Sequence, residues 1–307
     1  MLKYYYNNSA DQEITKIDEL EQGSWIFGYD IDAEEIQKLL SLGFDGDIID
    51  DALDYYEVPR FEAEKGINYL FTRYLVHAKD GELATAPLLI AISETAILTV
   101  SHAKPEFLDH FAHNRKSFVT SDKITTVFVM LETLIEQYEK SLIHIRRTIL
   151  KYYGNIQHIN EFDIKQIVAL EDRLAGYLSA LTPTLDALNT MVRRSENINL
   201  KDTDIQILED LRQDVHQAIS STKNASKTVQ NIRSAHSDIL AHKLNNTMKT
   251  LTMVTILLTV PTIISSVFGM NTWLPFGDNA SAFFIVLGII IALSWVLYQY
   301  FKKNQWL

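Results

Sequence analysis

Residues 250–277 constrain this chain more than any other stretch, because not one of these twenty-eight consecutive positions carries a charge. As a helix, about twenty of them are enough to cross a hydrocarbon core of roughly 30 Å. The run is not evenly apolar, however. Alternating steps of three and four from Asn245 fall on Met248, Thr252, Thr255, Thr259, Thr262 and Ser266. Helix geometry places these seven side chains on one face, as a seam of amide, thioether and hydroxyl groups. The other faces carry Leu251, Met253, Val254, Ile256, Leu257, Leu258, Val260, Ile263, Ile264 and Val267. A membrane helix with one polar seam must turn it toward protein or water, because lipid offers no hydrogen-bond partner. Two arrangements satisfy that demand. In one, the small hydroxylated side chains let helices pack closely and bond back to their own backbone. In the other, the seam is a pore wall, and since one helix cannot enclose a hole, several identical subunits must contribute.

From residue 202 to residue 268 there is no glycine and no proline except Pro261. One helix of that length would measure about 100 Å. Its first half carries Ile205, Leu208, Leu211, Val215, Ile219, Val229, Ile232 and Ile239 at helical spacing. An unbroken helix of this length suits a stalk leading into the membrane better than an ordinary globular element. Asp202 or Thr203 is the expected cap. A second span, 282–301, lacks a comparable seam and is expected to be the outer, lipid-facing helix. Trp295 and Tyr298 lie in its inner half, and Trp306 at the interface. Lys243, Lys249, Lys302 and Lys303 border the inner ends, whereas the loop 271–279 contains Asp278 and no Lys or Arg. The positive-inside rule therefore predicts cytoplasmic termini and an outer loop at 270–280. The first residues, MLKYYYNNSADQ, have no apolar core of the kind a cleaved signal needs.

The first 120 residues predict a mixed α/β domain, a sheet with helices packed on it. Strands are expected at 2–6, 24–29, 68–78, 83–92 and 96–101, with a hairpin turn at 79–82. Helices are expected at 33–42, ended by Gly43, at 47–55, and at 105–113 behind Pro105. Residues 121–200 predict a helical pair. The first helix holds a 3.6-residue period from Ile124 to Ile149 and stops at Gly154. The second spans about 161–194 and should kink at Pro183. The stalk and first span then occupy 201–269, the second span 281–301, and a basic tail 302–307.

The formal net charge is −11 and unevenly spread, for residues 1–64 hold seventeen Asp or Glu against four Lys or Arg. Such a surface repels nucleic acid and concentrates cations, besides keeping the chain soluble. Cysteine is absent, so there are no disulfides and no thiolate metal sites, which suits a cytoplasmic soluble part. No Gly-rich phosphate loop, GxSxG elbow or HExxH motif is present, so an enzymatic or ATP-driven engine is not expected. His110 and His113, near His102, have no third ligand spaced with them and fit surface histidines. Arg146, Arg147 and Lys151 fit one basic helix face.

The apolar run ends in Phe268-Gly269-Met270-Asn271. This Gly-Met-Asn triplet, at the outer end of the first of two terminal spans, resembles the signature of CorA-type magnesium transporters. The positions of Asn245, Met248-Lys249, Leu251-Thr252 and Pro261-Thr262, with Lys302-Lys303 before Trp306-Leu307, are similar to that family as well. Phe268 stands where many members have Tyr, and Pro261 lies one position later than in some. The resemblance implies a homopentamer in a lipid bilayer that takes up Mg²⁺ through a central pore, with Co²⁺ and Ni²⁺ as further substrates. It assigns ion selection at the outer mouth to Gly269, Met270 and Asn271, whose oxygens would hold a hydrated ion through its waters. Asn245 would then form a polar ring near the inner face. Met248 and Leu251 would make an apolar constriction that gates by dewetting. The hydroxyls of Thr252, Thr255, Thr259, Thr262 and Ser266 would line an uncharged wet passage. Ions would descend their gradient, helped by the negative-inside potential.

The resemblance also implies a regulatory Mg²⁺ site shared between subunits. Its local match is Asp50-Asp51-Ala52-Leu53 before Pro59-Arg60, with Asp210 on the stalk. The sensor roles fall to Asp51 and Asp210, with Asp50 as a helper; the alternative is that these are solvated surface acids. The acidic ring that members often place eleven residues before the residue matching Asn245 is replaced here by Ser234. Two other functions remain open. One is the zinc-transporting branch, although Thr272-Trp273-Leu274-Pro275-Phe276 resembles the magnesium branch better. The other is a non-conducting membrane-anchored scaffold.

Overall fold

Trp25, Ile26 and Phe27 are adjacent and all fully buried, which a strand permits only when both of its faces are covered. They belong to β3 (Ser24–Tyr29) in the interior of a seven-stranded sheet. The other strands are β1 (Leu2–Tyr6), β2 (Thr15–Ile17), β4 (Arg60–Glu64), β5 (Ile67–His77), β6 (Leu83–Ile92) and β7 (Ala96–Ser101). Their order is β2-β1-β3-β7-β6-β5-β4. The β3–β7 pair is parallel, with Trp25 opposite Ile97, and the remaining pairs are antiparallel. This computed structural model describes residues 1–9, 14–77, 83–112, 119–195, 200–270 and 282–304. The expected turn at 79–82, the outer loop from Asn271 onward, His113 and Trp306 lie outside the described residues.

Strand alternation sorts the interior into two cores. Ile26, Phe71, Leu89, Leu98 and Val100 point to one side and meet Leu39 and Ile49. Those two come from helices α1 (Ala33–Ser41) and α2 (Gly46–Leu53). Trp25, Phe27, Leu70, Leu88, Ile90 and Ile97 point to the other side. There they meet α3 (Glu106–Ala112), α4 (Lys123–Gly154), α5 (Glu161–Arg193) and the first part of α6 (Asp202–Phe268). Each large apolar side chain withdrawn from water in these layers contributes about 1.5–3 kcal/mol. Trp25 keeps its indole N–H satisfied inside the core by donating to Thr99 Oγ1 at 2.9 Å.

Local chemistry sets the helix ends. Asp32 and Glu35 form a capping box on α1, and Asn160 and Asp163 form another on α5. At α6 the helix starts at Asp202, earlier than a cap at Asp202 or Thr203 would allow. The stabilising contact is instead Asp204, which accepts the Lys201 N–H at 2.9 Å from inside the first turn. Pro183 does not end α5; the carbonyl it leaves without a donor, that of Ser179, sits at an exposed position. The edge strands β2 and β4 are absent from the sequence-based expectation, because an edge pairs on one side only and needs no strong apolar alternation.

The chain divides into two compact units, Met1–Ile232 and Arg233–Leu307. The first holds the sheet and its helical layers. The second holds the remainder of α6 and α7 (Ala282–Lys303). Among the described residues, two helices, α6 and α7, are long and apolar enough to cross a membrane.

Candidate functional site

In the second unit, the covered side chains of α6 form a stripe of Met253, Ile256, Leu257, Val260, Pro261 and Ile264. On α7 the covered stripe is Val286, Ile290, Ser294, Leu297 and Phe301. At 100° per residue, the seam from Asn245 to Ser266 is centred about 140° around α6 from its covered stripe. All seven seam residues are exposed. The side of α6 carrying five of the six hydroxyl side chains of residues 252–266 is therefore a side that a single chain leaves uncovered.

The hydroxyls have a defined orientation. Thr255 Oγ1 donates to the Leu251 carbonyl at 2.8 Å, Thr259 to Thr255 at 2.7 Å, and Thr262 to Leu258 at 2.8 Å. Each spends its proton on its own helix, so the oxygen lone pairs are what it offers outward. A row of acceptors suits the hydrogens of water molecules around a cation. Met248 is 60 % exposed and Leu251 is 66 % exposed. Leu251 does not lie in the seam. It joins Leu244 and Leu258, spaced by sevens and also exposed, in an apolar rail about 65° to one side. Sevenfold spacing is what a neighbouring parallel helix accepts.

The seam also extends further than the hydroxyl run. The same three-four steps, counted back from Asn245 within the second unit, pass through Asp238 and Ser234, and both are exposed. Counting backwards in the sequence would have found this; the apolar run drew attention away from it. At its C-terminal end α6 stops at Phe268, and Gly269 N–H bonds to the Ser265 carbonyl at 3.0 Å. A Cβ at position 269 would stand 3.3 Å from that same oxygen. Close approach, rather than an unusual backbone angle, is thus what favours glycine here. Met270 is exposed, and Asn271 lies outside the described residues.

The expected sensor residues occupy two separate places in the first unit. Asp51, in the last turn of α2, accepts from Arg60 Nη2 at 2.7 Å. Arg60 opens β4 and also binds Glu57 through Nη1 and Glu62 through Nε, with its guanidinium 4.0 Å from the centre of the Phe71 ring. Burial lowers the Arg60 pKa, but hydrogen bonds to Glu62 and Asp51 more than offset this and hold it above the usual value. Asp50 is exposed beside this cluster. Asp210 lines a cleft of ≈ 410 Å³ with Leu185, Asn189, Glu209, Arg212, Gln213 and His216. Arg212 there pairs with Glu209 at 2.6 Å. Among the described residues of one chain, no three His, Asp or Glu side chains are grouped to hold a metal ion.

A family model described as CorA-like Mg²⁺ transporter protein matches residues 21–303. The chain is a member of the CorA-like Mg²⁺ transporter family. The cobalt/magnesium transport protein CorA of Methanocaldococcus jannaschii is 23 % identical to this CorA-like chain over 295 residues, covering 92 % of this chain and 91 % of that protein. The complete structure of the CorA magnesium transporter from the same organism aligns with a TM-score of 0.86 at 20 % identity, over 100 % of this chain and 99 % of the other. The full-length CmaX protein aligns with a TM-score of 0.74 at 15 % identity, over 98 % and 97 %. The cytoplasmic domain of ZntB from Vibrio parahaemolyticus aligns with a TM-score of 0.64 at 10 % identity, covering 78 % of this chain and 98 % of that one. The CorA-like fold is thus shared across the α/β layers, the long helix and the two C-terminal helices.

Proposed function

We propose that five copies of this chain assemble around the exposed seam of α6, and that Mg²⁺ crosses the cell membrane through the lumen they enclose. One observation carries this: the hydroxyl seam of α6 is exposed along its length, whereas the side chains that the chain buries or half-buries, Met253, Ile256, Leu257, Val260, Pro261 and Ile264, lie on the opposite side. Hydroxyl and amide groups turned toward lipid would be costly, and a ring of identical helices removes that cost while creating a wet passage. Exposed Phe283, Phe284, Trp295, Tyr298 and Tyr300 on α7 suit a lipid-facing outer helix with aromatic ends. Lys243, Lys249, Lys302 and Lys303 favour cytoplasmic termini.

In this assembly, Gly269, Met270 and Asn271 select a hydrated divalent ion at the outer mouth. Thr252, Thr255, Thr259, Thr262 and Ser266 accept hydrogen bonds from its waters. Met248 and Leu251 narrow the inner end beside the Asn245 ring. Mg²⁺ is the main cargo, with Co²⁺ and Ni²⁺ accepted. High internal Mg²⁺ closes the pore by bridging Asp51 and Asp210 of adjacent subunits, Asp50 assisting.

Mg²⁺ flux into proteoliposomes, compared with Asn271→Ala, tests the pathway. The native protein should conduct and the variant should lose most of the flux. A scaffold would conduct in neither, and preferential Zn²⁺ flux in a three-way competition with Mg²⁺ and Co²⁺ would move the protein to the zinc-transporting branch.

A further inference from the structure

The carboxylate assigned to ion sensing already holds a cation that belongs to the protein. We infer that Arg60 is a built-in competitor of the divalent ion at Asp51, and that its displacement sets the internal Mg²⁺ concentration at which the pore closes. This rests on the proposal above that Asp51 senses Mg²⁺.

Arg60 is fixed from several sides. Its backbone pairs with Phe71 in the β4–β5 ladder, its guanidinium lies over the Phe71 ring, and its three kinds of nitrogen each meet a different carboxylate: Asp51, Glu57 and Glu62. A planar fork can serve three carboxylates at once, where an ammonium cannot. The three acids and one guanidinium leave the cluster with a net charge of about −2, enough to attract a divalent ion but less than the acids alone would offer. Asp51 stays within reach, because its side chain is 47 % exposed. One of its oxygens is bound to Arg60, however, so an ion that uses both must first release the fork. Arg60 is nine residues from Asp51 and across a loop, so the contact itself is visible only in the fold.

The charge alone predicts a measurable effect. A unit positive charge about 5 Å from a divalent ion, in a water-like dielectric, weakens its binding on the order of tenfold. Arg60→Gln in the full-length protein should therefore lower the half-inhibitory internal Mg²⁺ by roughly tenfold in proteoliposome flux. Arg60→Lys, which keeps the charge but loses the fork, should lower it about threefold. Asp51→Asn should raise it severalfold. If Asp51→Asn shifts inhibition while neither Arg60 variant tightens it, the competitor role is overturned and the sensor stands. If Asp51→Asn leaves inhibition unchanged, the sensor fails and the competitor role falls with it. Should Arg60→Gln fail to fold, Arg60→Lys decides by itself.

Discussion

Thr259→Val removes one acceptor from the seam and almost nothing else. Valine has the same branching and nearly the same volume, and the helix keeps every backbone bond. The hydroxyl it deletes is exposed and donates only to the Thr255 carbonyl at 2.7 Å. Back-bonded threonines add little to their own helix, so stability and assembly should stay within about 0.5 kcal/mol of the native protein. Passage should respond quite differently. Each lost acceptor is worth about 0.5–1.5 kcal/mol to a water that would have bonded to it. If only two subunits' hydroxyls meet the ion's waters at a time, the barrier rises by about 1–3 kcal/mol, a roughly five- to hundredfold loss of rate. The assay is Mg²⁺ entry into proteoliposomes loaded with a fluorescent Mg²⁺ indicator, with oligomer mass checked in parallel. Ile256→Val, on the covered stripe, is the control and should conduct as the native protein does. Native-like flux from Thr259→Val, within twofold and with assembly intact, would refute a lumen lined by this seam.

Two further predictions concern the first unit. Tyr138 is fully buried and its hydroxyl donates to the Arg73 carbonyl at 2.9 Å; Tyr138→Phe should cost about 1–2 kcal/mol, seen as a fall of a few degrees in the thermal midpoint by circular dichroism, and an unchanged midpoint would show that the bond contributes nothing net. Burial, followed by the nearby Asp214 and Glu136, raises the Glu139 carboxyl above its usual range. Its ionised form therefore opposes folding, and stability is regained as pH falls through the raised pKa. Glu139→Gln should stabilise at neutral pH by a few tenths of a kcal/mol, discounted for solvent screening, with the gain disappearing near about pH 4; a gain that persists in acid would contradict this cause.

Much of the architecture was written in short-range patterns. The absence of glycine from residues 202–268 foretold one helix, α6, over that span. The period from Ile124 to Ile149 foretold α4, and the strands expected at 2–6, 24–29, 83–92 and 96–101 match β1, β3, β6 and β7 to the residue. These succeed because helix and strand periodicities depend on neighbours a few positions apart. The hydroxyl seam was legible for the same reason. What the sequence could not decide is what each face meets. The parallel pairing of β3 with β7 joins segments some seventy residues apart, and the capture of Asp51 by Arg60 depends on how α2 and β4 pack. Exposure of the seam, and coverage of the side opposite, likewise follow from where the chain places its own apolar surface. Periodicity fixes which residues share a face; only packing determines which face is left for a partner, because burial is a property of the whole chain rather than of any window along it.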